Sequence, residues 1–231
     1  MEPIPVDPSR YGSATALLTR AFFDDPGVAY LFPDVAARGA QMTWLYGRLV
    51  PMLAPLGSSY LCWTEGAGPE SAGATAPGGD PRAPAVVALW APPRSRLEPL
   101  AIVRAGLLEA PARIGARATA RVLQSLVYME RVRARWMRGR PHWYLDHFAV
   151  EPALQGKGLG SRALGRMLAS QADVDGLPCM LFTSKEKNLP FYRGHGFDLV
   201  EEGMLGGRGG VMVWSMVRSR GAAGRPSAVK P

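Results

Sequence analysis

The chain has 231 residues, of which 47% are apolar and 20% charged, an ordinary globular composition that suits one domain with a substantial core. The formal net charge of +8 points to an anionic partner. No nucleic-acid-binding motif and no regular interleaving of basic and aromatic residues accompanies it, which argues against nucleic acid. Cys62 and Cys179 sit singly in apolar runs, so neither a disulfide framework nor a zinc site is indicated, and both read as reduced core thiols. The N-terminal ten residues lack a signal-peptide apolar region, and no apolar run is long enough to span a bilayer, which gives the expectation of a cytoplasmic protein with no membrane partner.

In chain order, Leu17, Leu18, Ala21 and Phe22 predict a helix over Ser13–Phe23 with Ser13 as its N-cap, ended by Asp24-Asp25-Pro26-Gly27. A second helix is expected over Val35–Leu53, with Trp44, Leu45, Leu49 and Leu53 as apolar contacts. Ser59–Thr64 reads as a strand and Ala85–Trp90 as its returning partner. Residues 65–84 between them are rich in Gly, Ala, Pro and Ser and predict a mobile loop. Leu97–Arg138 has helical character, broken near Pro111 and Gly115, and its basic end, Glu130–Arg140, reads as a solvated face. Trp143–Val150 is the central strand. Simple alternation puts Tyr144, Asp146, Phe148 and Val150 on one side and Leu145, His147 and Ala149 on the other. A helix over Ser161–Asp173 with Leu164, Met167 and Leu168 inward, a buried strand Pro178–Thr183, a helix over Leu189–His195 and strands at Leu199–Glu202 and Val211–Val217 complete one domain over 1–218. Residues 219–231 predict a disordered tail.

The most informative stretch joins the central strand to the next helix. After Val150 comes the turn Glu151-Pro152-Ala153-Leu154, then Gln155-Gly156-Lys157-Gly158-Leu159-Gly160 and Ser161. Three glycines leave bare backbone at a helix mouth, where first-turn N–H groups lack partners and the helix dipole adds positive charge. Such a loop cradles an anion, and pyrophosphate fits it. It lacks the Lys-Ser ending of a P-loop, and its glycine spacing is not that of a dinucleotide fingerprint.

The loop matches Gln/Arg-x-x-Gly-x-Gly/Ala, and Asn188-Leu189-Pro190-Phe191-Tyr192-Arg193-Gly194-His195-Gly196-Phe197 matches a second motif, one residue shorter before its aromatic pair. In these motifs the chain resembles the GCN5-related N-acetyltransferases (GNAT), most of all the puromycin N-acetyltransferase type, over roughly residues 140 to 217. The resemblance implies an α/β (α+β) fold: a mixed, mostly antiparallel sheet flanked by helices and splayed at the central strand. It implies acetyl-CoA as cosubstrate, with no metal. Gln155, Gly156, Lys157, Gly158, Leu159, Gly160 and Ser161 would hold the pyrophosphate. The main chain of Phe148, Ala149 and Val150 would pair with the pantetheine arm, and Asn188 would bond it or cap a helix.

Tyr192 matches the tyrosine that faces the sulfur as general acid; a phenol keeps its proton at neutral pH and can give it to a departing thiolate. Many members carry a glutamate on the central strand where this chain has Tyr144. Asp146, two residues on, is therefore the candidate base, while alternation turns His147 to the opposite face. His142, His195 or water alone are the other routes for the proton. Asp24 and Asp25 follow the first helix where the family's acceptor pocket lies, so they either meet a cationic amine or form a solvated turn. Trp90 lies at a strand end beside that pocket, where it either lines it or packs in the core, and Tyr144 is placed beside it. The expected activity is transfer of an acetyl group to a small-molecule amine, such as an aminonucleoside or another antibiotic, by a monomer or homodimer. The alternatives are a protein or peptide N-acetyltransferase and a non-catalytic acyl-CoA-binding module.

Overall fold

The computed structural model describes residues 2–64, 68, 83–95 and 106–219. Among these a seven-stranded sheet runs in the order β1 (Ile4–Pro5), β2 (Tyr60–Cys62), β3 (Val86–Ala91), β4 (Trp143–Val150), β5 (Cys179–Thr183), β7 (Val211–Arg218), β6 (Asp198–Leu205). Neighbouring strands pair antiparallel except β4 and β5, which are parallel. This is the mixed, mostly antiparallel sheet that the sequence implies. The larger helices are α1 (Tyr11–Phe22), α2 (Pro26–Leu31) and α3 (Val35–Leu53), then α4 (Ala110–Arg113) and α5 (Ala116–Met137). Beyond β4 come α6 (Leu159–Ser170), α7 (Ala172–Asp175) and α8 (Leu189–Arg193). No helix among the described residues is long and apolar enough to cross a membrane.

Both faces of the sheet are covered. On one face α1 and α3 bury Leu17, Leu18, Met42, Leu45 and Val50 against Leu61, Val87 and Leu89. On the other, α6 and α8 bury Leu164, Met167, Leu168 and Leu189 against Val86, Ala88, Trp90, Leu181 and Met216. The strand β3, apolar throughout, thus sends alternate residues into two cores, as a strand covered on both sides must. Cys62 and Cys179 lie fully buried in the second core as free thiols. Burial pushes Cys62 up to about 11 and Cys179 higher still, so both stay protonated and inert.

Two local features differ from the expectations. First, α1 begins at Tyr11, with Ser13 inside it. It continues a 3-10 turn at Pro8–Arg10 that Asp7 caps by accepting from Ser9 N at 2.9 Å. Second, the Asp24–Gly27 stop also starts the short helix α2. The Asp25 carboxylate accepts from Gly27 N at 2.9 Å with Pro26 in the first position, a standard helix opening. The expected loop at 65–84, the start of the helical stretch after Leu97 and the tail from 219 fall almost wholly outside the described residues.

The strand β4 departs most from simple alternation. Leu89 pairs with His147 and Trp90 with Leu145, which leaves Asp146 as an extra residue in β4. A β-bulge of this kind shifts every later side chain by one face. Trp143 and Leu145 join the α6 core, and so do Phe148 and Val150; Ala149 belongs to the α1/α3 core. His147 also faces α1 and α3, with its ring edge-on to Phe22 and Tyr46. The expected grouping of Phe148 and Val150 with Tyr144 and Asp146 is therefore corrected, as is that of His147 and Ala149 with Leu145, since both move to the face of Tyr144.

The parallel ladder between β4 and β5 is short. It runs from Trp143–Cys179 to Leu145–Leu181 and ends there. Beyond it β4 pairs with β3 alone, and the sheet opens along the β5 side of Asp146–Val150. Leu164, with no exposure, lies where α6 packs on this sheet. Leu164→Ala is expected to cost about 2–5 kcal/mol, read in urea denaturation as a lower midpoint at unchanged slope.

Candidate active site

Two cavities meet where the sheet opens. The first is a groove of about 600 Å³ on the side of α6 and α8. Its floor is the end of β4, from Phe148 to Val150, and its rim is the glycine loop. Gly156 and Gly158 take left-handed conformations, with φ of 77° and 71°, which side-chain-bearing residues adopt at a cost. Gly158 is also the N-cap of α6. Gly160 lies so close to β4 that a Cβ there would stand 3.0 Å from Val150 Cγ2. The helix mouth, with its unpartnered N–H groups, is thereby pressed against the strand end.

The side chains around the loop hold it in place. Gln155 donates from Nε2 to the Val150 carbonyl at 3.1 Å. Ser161 Oγ and His195 Nε2 lie 3.1 Å apart, which ties the first turn of α6 to the turn after α8. Gln155, Gly156, Gly158, Leu159, Gly160 and Ser161 line the groove, whereas Lys157 is exposed and does not. Lys185 and Lys187 supply side-chain cations to the groove wall instead. They lie between the two motifs, where no periodicity or spacing marks them. Phe191 stacks on Phe148 with ring centres 6.0 Å apart.

The second cavity, of about 250 Å³, lies on the opposite side of β4. Its walls are largely apolar: Phe32, Leu45, Leu49 and Leu53 on one side, Val122, Leu126 and Met129 of α5 on another, with Phe182 and Val213 from the sheet. Polar groups are set among them, including Asp25, Asp146, His147, Tyr46, Tyr144 and Ser184. Asp25 is buried and already partnered, by Ser184 Oγ, Gly27 N and, at 3.5 Å, Lys185 Nζ. It ties the start of α2 to the end of β5. Asp146 Oδ2 lies 2.8 Å from His147 Nδ1. Burial, Asp25 and Asp146 push the Tyr46 hydroxyl well above its ordinary range, and burial with Asp146 does the same to Tyr144.

Tyr192 and Asn188 line both cavities, as do Phe22, Asp25 and Phe148. Tyr192 is buried, and burial together with the Asp25 charge pushes its hydroxyl far up, so it holds its proton firmly. Asn188 makes no helix-capping bond with its side chain; its amide donates to Thr183 Oγ1 at 3.2 Å. Two expected acceptor contacts are not brought in. Asp24 is exposed and lines neither cavity, as a residue in the turn between two helices. Trp90 has no exposure and packs edge-on to Trp143 at 6.2 Å, in the core behind the sheet. The basic run ending at Arg140 precedes β4, and the glycine loop follows it, so a strand of about 25 Å separates them.

Residues 121–199, which hold the glycine loop, Asn188 and Tyr192, match the family model of the acetyltransferase (GNAT) domain. Solved structures align over nearly the whole chain. A protein described as histone acetyltransferase HPA2 and related acetyltransferase, from Corynebacterium glutamicum, is 19% identical, with TM-score 0.60 over 99% of this chain and 100% of its own. Arylalkylamine N-acetyltransferase 2 from Aedes aegypti is 13% identical, with TM-score 0.62 over 94% and 98%. The NatC complex bound to Gag peptide and CoA contains a chain 14% identical, with TM-score 0.51 over 95% and 99%. The fold is the GNAT fold. Within it, the groove and the pocket occupy the two sides of the open β4 end.

Burial and the Arg218 charge hold His195 below the ordinary imidazole range, and burial does the same to His142. The unfolded chain therefore binds more protons just below pH ~6.5, and stability falls as pH drops through that window. His195→Asn is expected to flatten part of this fall, with His142 supplying the remainder. Denaturant titrations from about pH 7.5 down to 5 check it.

Proposed function

We propose that this protein is an acetyl-CoA-dependent N-acetyltransferase whose acceptor is a compact, largely apolar primary amine. The observation that carries the reading is that Tyr192 stands in the wall shared by the groove and the pocket. A thioester brought in from one side and an amine from the other would meet beside a group able to protonate the leaving sulfur. Direct transfer needs the two reactants held together, a proton taken from the amine and a proton given to the thiolate.

In this reading acetyl-CoA is a substrate held by the groove. The main-chain N–H groups of the Gln155–Ser161 loop receive the pyrophosphate, and Lys185 and Lys187 add charge of the right sign. The free edge of Phe148–Val150 pairs with the pantetheine arm as an added strand would, and a main-chain amide there polarises the thioester carbonyl. Asn188 bonds the same arm. Tyr192 gives its proton to the sulfur, and Asp146 belongs to the amine side.

The pocket supports a small acceptor over a peptide. Its volume of about 250 Å³ falls below the roughly 300–1,000 Å³ of sites for drug-sized ligands, and most of its lining side chains are apolar. An amino-bearing antibiotic fits this reading where a compact amine end enters the pocket, and detoxification would follow. Acetyl-CoA use suits the cytoplasm.

Release of free thiol from acetyl-CoA across a panel of amines tests the proposal. Aryl- and alkylamines, puromycin and other amino antibiotics, polyamines, amino acids and N-terminal peptides would make up the panel. Turnover with compact amines and silence with peptides is expected; turnover with peptides alone overturns it. Tyr192→Phe is expected to lower kcat by ~100-fold or more while calorimetry shows unchanged acetyl-CoA affinity. Gly158→Asp, which adds bulk at a left-handed position and a negative charge at the anion cradle, is expected to abolish acetyl-CoA binding while circular dichroism shows a retained fold.

A further inference from the structure

Resting on the transferase reading, we infer that His147 takes the proton from the acceptor amine, that Asp146 positions it, and that the β4 bulge exists in this fold to bring the two to one site. In a regular strand, consecutive side chains point to opposite faces, so Asp146 and His147 would be separated by the sheet. The extra residue between the Leu89–His147 and Trp90–Leu145 pairs cancels that separation. Both side chains line the pocket, with His147 Nδ1 2.8 Å from Asp146 Oδ2.

The chemistry assigns the roles within the pair. A carboxylate accepts hydrogen bonds and does not donate them, so His147 Nδ1 carries the hydrogen and Nε2 keeps the lone pair. Asp146, with one oxygen given to this bond, fixes the tautomer and balances the charge that the ring gains. The ring is gripped by Phe22 at 5.6 Å and Tyr46 at 5.3 Å, both edge-on, so it cannot swing away when it is charged. Both side chains remain about one-fifth exposed to the pocket, 21% for His147 and 23% for Asp146.

The other ionisable groups on this wall are poorly suited to the role. The Tyr46 and Tyr144 hydroxyls hold their protons far above the working range. Tyr192 is the proton donor on the far side. Asp25 already binds Ser184, Gly27 and Lys185.

The step balances. As the amine nitrogen bonds to the acyl carbon, its N–H proton passes to His147 Nε2, directly or through one water. The carbon–sulfur bond then breaks, and the sulfur leaves with the Tyr192 proton. Solvent carries the imidazolium proton away and returns one to Tyr192.

Four measurements on the unaltered protein, His147→Gln, His147→Asn and Asp146→Asn test this: acetyl-CoA affinity by calorimetry, melting temperature, kcat, and the pH profile of kcat/KM with one accepted amine. The unaltered protein is expected to lose rate on the acid side through one protonation. Both His147 variants should keep acetyl-CoA affinity, lose ~100-fold or more in kcat and lose the acid limb. Asp146→Asn should lose rate to a smaller extent and keep that limb. An acid limb that survives in both His147 variants and disappears in Asp146→Asn makes Asp146 the base and overturns the assignment. Full turnover in either His147 variant also overturns it, with the transferase reading intact. Absence of turnover in the unaltered protein against every amine overturns both.

Discussion

A parallel ladder three residues long joins the two halves of the sheet and then stops. The candidate chemistry depends on that stop. Had β5 stayed paired along the whole of β4, the main chain of Asp146–Val150 would be satisfied by another strand and no groove would reach the sheet interior. Opening the strands costs ladder hydrogen bonds, and the structure offsets this from both sides. Gln155 takes the Val150 carbonyl, Phe191 stacks on Phe148, and Asp25 joins the start of α2 to Ser184 and Lys185 just past the end of β5.

Charge is distributed around the opening in a way that separates two tasks. The groove is bordered by a helix N-terminus and two lysines, a setting for a polyanion. The pocket across β4 is apolar with two carboxylates, and each of these is already engaged, Asp25 by a lysine and Asp146 by a histidine. Tyrosines with firmly held protons stand between. In the proposed reaction this arrangement would keep a proton donor on the sulfur side and a proton acceptor on the amine side.

The parts of the molecule that follow local rules were legible in the sequence. Val35–Leu53 and Trp143–Val150 have the predicted bounds because apolar spacing and strand composition dictate them. The glycine loop could be read because its need for bare, left-handed backbone is written as residue identity. What escaped depends on pairing across the sheet. The bulge is set by how β3 and β4 register, which no single-strand pattern reveals, and it inverted the faces assigned to His147, Phe148 and Val150. Trp90, at a strand end, could be read as a pocket or a core residue, and burial on both faces of β3 gives it to the core. Tyr46 lies in a helix whose apolar stripe was evident, yet its part in the pocket arises only once α3 packs over β4. Lys185, Lys187 and Ser184 belong to a loop with no periodicity, so only the fold brings them to the site.

In the proposed reaction Tyr192 stands where a thioester from the groove meets an amine from the pocket. A crystal structure of the protein soaked with coenzyme A measures this directly through the distance from the coenzyme sulfur to the Tyr192 hydroxyl. A separation of about 3–4 Å, with the pyrophosphate at the Gln155–Ser161 loop and the arm along Phe148–Val150, is the expected result. A sulfur that lies away from Tyr192, or a coenzyme bound elsewhere, would rule out Tyr192 as the proton donor.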